Sequence, residues 1–547
     1  MAQDQSTCIA MVQIARFFIL ACVLRREATV YSAELVCQAE GQCSTAASRT
    51  DAYFWPTAHG HVKHYGNSPY TGPFNLSASV AWSWAHPDGQ YHDMPLGTTI
   101  DDKSNVYVLS DKGIYKLSPE GKLLWSFMAG PPKTIVGNSV PDGASLYDGA
   151  VFFETVDGRF FSVDMETGQE IWSRKPGPLG CMDTGVSSVH AGVMLAEVDP
   201  SSGDSGYEQC TAILALNASD GSELWKYTPK DKLWDFMPQF LNDGTFVFQD
   251  IDGRAYRNFL FNGTNIWNSG GEAHSWTDGT QGIGANGIMY TVSITNSAPT
   301  CQGGIRGAGG KDCPGKLSAY RLSDGKQLWQ REVPRPPNSS PVVGRLGKSD
   351  RLSVVIPIGQ QPSCLPLALD LTRKWLPFFL VVTSVLVFGV LRRHICYSCC
   401  SLVATLLLAS IIVPALLLLM FCMMHLWTLS MGDLQPSPLG ELPTDIYAFD
   451  ADTGAPQWKW QGPTYHRMQC PGDEKGFLTR IRLRIRMASC PTPWSAPRIG
   501  ADGTIYVGNQ NGFFYAIRDL NEDGQIDPDH EVSSFDCEAE FSSIGSS

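Results

Sequence analysis

Between Asn105 and Trp125 the chain reads NVYVLSDKGIYKLSPEGKLLW: an apolar strand, a tight turn, a strand opening on Gly-aromatic, a Gly turn and a strand closing on Trp. The same order returns along most of the 547 residues. Closing tryptophans follow at Trp172, Trp225, Trp267, Trp329 and Trp458, after turns such as Glu166–Gly168, Asp220–Gly221 and Asp324–Gly325. A last unit runs from Gly503 through Phe513 to Phe535. Repetition on this scale selects the architecture before any single residue is considered.

Each unit predicts an antiparallel sheet whose apolar faces cannot be buried by that sheet alone. Stacking such sheets radially buries both faces and leaves short edges. Asp-Gly and Thr-Gly supply the positive φ that tight hairpins need, and the closing Trp offers a wide plate for packing between blades. These aromatics therefore read as core. The expected fold is all-β: a seven- or eight-bladed β-propeller of four-stranded antiparallel blades. Seven units are counted, and Ser77–Trp84 resembles the closing strand of a further unit. Either seven blades close by an improvised route, or the chain stops short of an eight-bladed relative. The short stretch after Asp536 leans to the second.

The stretches 502–517 and 446–454 resemble the quinoprotein-dehydrogenase-like β-propeller, whose repeat runs roughly DGxxY(V/A)…DGxLYALDxxTGxxxW. The resemblance covers residues 78–363 and 443–535. It implies the fold, which serves enzymes and binding scaffolds alike. Enzymes of that family resemble one another in adjacent cysteines, a Trp platform, an Asp base and a calcium held by Glu and Asn. The adjacent pair here, Cys399 and Cys400, lies between two apolar runs away from any repeat, so PQQ is not expected. The resemblance extends to the propeller subunit of the bacterial outer-membrane assembly machinery, which implies an adaptor role.

Two runs break the pattern. Residues 375–391 and 401–427 are uncharged, long and without strand alternation, and predict a transmembrane α-helical hairpin inserted at 364–442. Two spans return the chain to the side it left, so the flanking half-blades still pair. Arg392 and Arg393 favour a cytoplasmic link, placing the propeller in a secretory lumen or outside the cell. Sixteen cysteines without zinc spacing, and sequons at Asn75, Asn217, Asn262 and Asn338, agree with that side. Residues 1–45 read as a signal peptide or anchor, 46–77 as an irregular lead-in and 536–547 as a tail. A net charge of −13 argues against nucleic acid.

The sharpest local motif is Asp519–Asp527, with oxygen-bearing side chains at alternate positions and Gly524 at the sixth. Asp519, Asn521, Asp523 and Asp527 would bind calcium through side chains and Gln525 through its carbonyl. His530 stands where the bidentate Glu belongs, with Asp529 or Glu531 as substitutes. Arg480, Arg482, Arg484 and Arg486 alternate with apolar residues and read as one solvated strand face; His190 and His274 read as ordinary core or loop positions. No P-loop, GxSxG or HExxH motif is present. These features point to a membrane-tethered, non-catalytic propeller binding a protein or peptide; the alternative is a quinone-dependent dehydrogenase of alcohols or sugars.

Overall fold

The computed structural model describes the backbone of 34–37 and 43–46 and most of 53–536, outside 88–96, 130–142, 176–185, 200–209, 296–313, 360–442, 465–492 and shorter gaps. Residues 1–48 form a unit of their own, in which strands Glu34–Cys37 and Cys43–Ala46 make a hairpin whose register sets Cys37 opposite Cys43.

The second unit, from Arg49 onward, holds seven four-stranded antiparallel sheets, each wound in simple sequence order. Blade 1 spans 99–128, blade 2 145–174, blade 3 188–227, blade 4 239–270, blade 5 282–333, blade 6 342–461 and blade 7 498–536. The first strand of each is short, as in Gly282–Ile283, and the second is mostly buried, wholly so in Val193–Val198 and Ile288–Ile294. The last strand alternates, as Leu123–Met128 does, so first strands line the axis and last strands face outward. The expected all-β propeller is thus found, with seven four-stranded blades.

Six apolar seams join consecutive blades. Blades 1 and 2 share Leu109, Ile114, Leu146 and Phe153; blades 5 and 6 share Tyr290, Val292, Val354 and Ile356. Each repeat buries apolar surface on both faces only because a neighbour covers it. The closing tryptophans dock across these seams. Trp125, Trp172, Trp225, Trp267 and Trp329 donate their indole N–H to carbonyls of Met165, Ala218, Leu260, Leu322 and Ala451 in the third turn of the following blade, at 2.9–3.2 Å. At each turn a glycine with φ between 67° and 70° lies flat on the indole. A Cβ on Gly454 would come within 2.7 Å of Trp329, so both backbone angle and clearance demand glycine there.

Blades 7 and 1 are joined differently, by the lead-in, hereafter the strap. Trp55 exchanges both backbone hydrogen bonds with Ile100 of blade 1, and Pro56 accepts from Leu146 of blade 2. Asn67 pairs in parallel with Ile499 of blade 7, and Tyr70 accepts from Ala501. The strap then runs outward along blade 7: Phe74 lies under Arg518, and Leu76 donates to Ser533. It finishes on blade 1, where Trp84 packs on Tyr115. Ser77–Trp84, read from sequence as a closing strand, forms no strand among its described residues. Trp82 nevertheless docks as the closing tryptophans do, donating to Pro119 at 2.9 Å over Gly121. The improvised closure is therefore the one found.

Both predicted membrane spans and the arginine-rich 480–486 stretch lie outside the described residues. Among the described residues no helix is long and apolar enough to cross a membrane. Gly359 and Thr444, on either side of residues 360–442, are cross-strand partners in blade 6. Arg335 pairs with the buried Asp445 beside them.

Candidate functional site

Three features offer chemistry. The first is a belt on the outer rim. In blades 1 to 5 the residue before the docking tryptophan is a large aliphatic turned outward: Leu124, Ile171, Leu224, Ile266 and Leu328, 37–52% exposed. Strand alternation causes this, since the inward Trp forces its neighbour out. Gln457 holds that register in blade 6.

The second is the axial mouth, where the chain turns into each first strand. Buried amides and hydroxyls lace neighbouring blades there. Gln239 donates to the Gln281 carbonyl at 3.1 Å, Gln281 to the Met237 carbonyl at 2.6 Å, and Gln249 to the Gly279 carbonyl at 2.7 Å. Thr280 and Ser340 share a hydroxyl bond at 2.7 Å, and Ser145 donates to the Ser187 carbonyl. Buried carboxylates Glu154, Glu197, Asp199 and Asp235 stand on blades 2 to 4 around the same end. On blade 4, burial pushes Asp250 up to about 6 despite its bond from Tyr256. Burial, reinforced by Asp231, pushes Asp252 up to about 8. His190 stacks on Phe240 at 5.0 Å, as its core reading required; His274 lies outside the described residues. Cys210 is buried and disulfide-bonded.

The third is the acidic loop, which replaces the short third turn in blade 7. Asp519 accepts from the Gly524 N–H at 3.0 Å, Asn521 from Asp523, Asp523 from Gln525, and Asp527 from Asp529. The sequence spacing put His530 at the closing position, but His530 turns outward and pairs with Asp527 at 2.8 Å. That contact raises the His530 pKa, and the Asp529 N–H, followed by His530, lowers that of Asp527. Glu531, next along, is 3% exposed and takes the N–H groups of Leu520, Asn521 and Asp527. One Oδ of Asp519 is buried with no hydrogen-bond partner. Among the described residues no three His, Cys, Asp or Glu side chains converge as a metal set. Beside the loop, a cleft of about 290 Å³ opens between blades 6 and 7, lined by Trp458, Ile505, Asp519 and Glu522 among others. Nothing in the sequence pattern announced the cleft, beyond the absence of a Thr-Gly turn ahead of Phe535.

Residues 205–356 match the model of a family described as outer membrane protein assembly factor BamB. The dehydrogenase subunit of a quinone alcohol dehydrogenase from Gluconobacter oxydans is 24% identical over 224 residues, 39% of this chain and 28% of that one. The chain carries PQQ-like β-propeller repeats. A quinohemoprotein alcohol dehydrogenase from Pseudomonas putida overlays with a TM-score of 0.50 at 10% identity, covering 90% of this chain and 73% of that one. BamB from Moraxella catarrhalis overlays at 0.43 and 13% identity, covering 81% and 88%. The PQQ-like propeller thus spans under a third of the first curated relative it matches.

Proposed function

We propose that this PQQ-like propeller is a membrane-tethered, non-catalytic scaffold that binds a protein or peptide from a secretory lumen or outside the cell. The observation that carries the proposal is the belt of Leu124, Ile171, Leu224, Ile266 and Leu328, spread over the outermost strands of five consecutive blades. Exposed aliphatics on unpaired strand edges suit contact with another protein. The family match to an assembly factor supports the same reading. Exposed sequons at Asn75 and Asn262 suit a glycosylated face, whereas Asn217 is half-buried.

The test is expression of the full chain in a secretory eukaryotic cell, followed by glycosidase digestion and carbonate extraction. A glycosidase-sensitive, extraction-resistant protein is expected; an unglycosylated, extractable one ends the proposal. The alternative, a quinone-dependent dehydrogenase, draws on the buried Glu154, Glu197 and Asp235 and on the quinoprotein likeness. It requires that added PQQ binds and supports dye-linked alcohol oxidation, which the scaffold reading forbids.

The loop is proposed as a structural calcium site, with Asp519, Asn521, Asp523, Gln525 and Asp527 joined by Glu531 in the closing role. Its support is the buried, unpartnered Asp519 oxygen and the inward Glu531. Calcium, and not magnesium, is expected to raise the melting temperature, and Glu531→Gln to remove the rise. A melt indifferent to calcium would discard the ion.

A further inference from the structure

Trp458 breaks the docking rule that its counterparts obey. Six tryptophans, Trp82 and the closing residues of blades 1 to 5, place the indole N–H on a carbonyl of the next blade, with a turn glycine against the ring. Blade 7 has no such turn to offer, because Arg518 to Glu531 leads outward as the acidic loop. Trp458 is still 8% exposed, and Ile526 of the loop packs into its cluster. Its indole N–H finds no acceptor among the described residues, and it borders the 290 Å³ cleft.

We infer that this cleft receives a glycine-containing β-turn of a basic partner protein, whose backbone carbonyl accepts the Trp458 indole N–H. The other seams show what this niche holds when filled: a carbonyl at 2.9–3.2 Å and a glycine at positive φ. Leu346 and Ile505 supply apolar walls, and the Gly347 and Gly503 backbones supply polar edges. Charge selects the partner. Asp519 and Glu522 line the cleft, while Arg518, its one cationic lining residue, is engaged by Asp502. A carboxylate acceptor is repelled there, whereas a neutral carbonyl flanked by Lys or Arg is favoured. The inference deepens the scaffold reading, yet a failed glycosidase or extraction test would leave it standing.

The probe is a cyclised peptide with the sequence 257–266 of this chain, which carries Arg257 and the docking turn of Asn262 and Gly263. Fluorescence anisotropy would measure its binding to the intact full-length protein. Trp458→Phe keeps the ring but removes the donor, and is expected to weaken binding about fivefold, as loss of one neutral hydrogen bond would. Asp519→Asn is expected to weaken it about twofold, and less at high salt. Trp329→Phe, whose indole already bonds Ala451, should leave it unchanged. Circular dichroism confirms that each variant is folded. Absence of binding overturns the inference, as does equal binding by the Trp458→Phe protein or by a peptide with valine replacing the Gly263 equivalent. Calcium raising the melting temperature while the peptide fails to bind also overturns it, and assigns the cleft to loop closure alone.

Discussion

The junction between blades 5 and 6 and the junction between blades 7 and 1 solve one problem by different means. At the first, Tyr290, Val292, Val354 and Ile356 meet in a continuous apolar seam, locked by Trp329 on Ala451 and Gly454. At the second, no regular strand is interposed among the described residues. A strap crosses the first strands with Trp55 and Asn67, descends blade 7 and ends with Trp82 on blade 1. The seam is held mainly by buried area, the strap mainly by backbone hydrogen bonds and scattered aromatic contacts. Net hydrogen bonds contribute about 1 kcal/mol each, whereas burying a large apolar side chain contributes about 1.5–3 kcal/mol. The ring is therefore strongest inside its repeats and weakest where it closes.

The largest effect belongs to the seam. Trp329→Ala removes a side chain only 8% exposed and is expected to cost about 3–5 kcal/mol by chemical denaturation, with loss of a single cooperative transition. Trp82→Ala, at 37% exposure, should cost about 1–2 kcal/mol, most visibly as new proteolytic cleavage in the strap before global unfolding. Equal costs for the two would erase the distinction between seam and strap. The smallest effect concerns pH. Asp250 and Asp252 have folded-state pKa values raised to about 6 and about 8, above their unfolded values, so the folded form holds their protons more tightly. Their contribution is complete below about pH 4 and is lost as pH rises through 6 and then 8. Asp252→Asn should flatten the decline between pH 6 and 8 and raise the melting temperature at pH 8 by about 2 °C. A melt that climbs over that interval in the parent chain would refute the sign.

The repeats were legible because two periodic signals coincide: alternation within strands, and a Gly turn followed at fixed spacing by Trp. Those signals also put the closing tryptophans between blades, whereas the carbonyl and glycine that each one meets, Ala451 and Gly454 for Trp329, emerge only in the fold. The strap was only half legible. Trp82 stands in a segment resembling a closing strand, but the strap's path depends on single backbone pairs, Trp55 with Ile100 and Asn67 with the sequence-distant Ile499, that leave no local pattern. In the acidic loop the alternating oxygens were plain, whereas the choice of Glu531 over His530 was not. That choice is one of packing: the carboxylate can serve three N–H groups in a buried space, and an imidazole cannot.

The pairing of Gly359 with Thr444 has a consequence for how such a chain changes over time. Gly359 and Thr444 share one rung of the ladder, so the ends of any module inserted between them are already held together. Lengthening such a loop costs only about 0.6 kcal/mol of closure entropy per doubling. Blade 6 is thus a graft point, where a module can be gained, exchanged or lost while the ring around it keeps its registers.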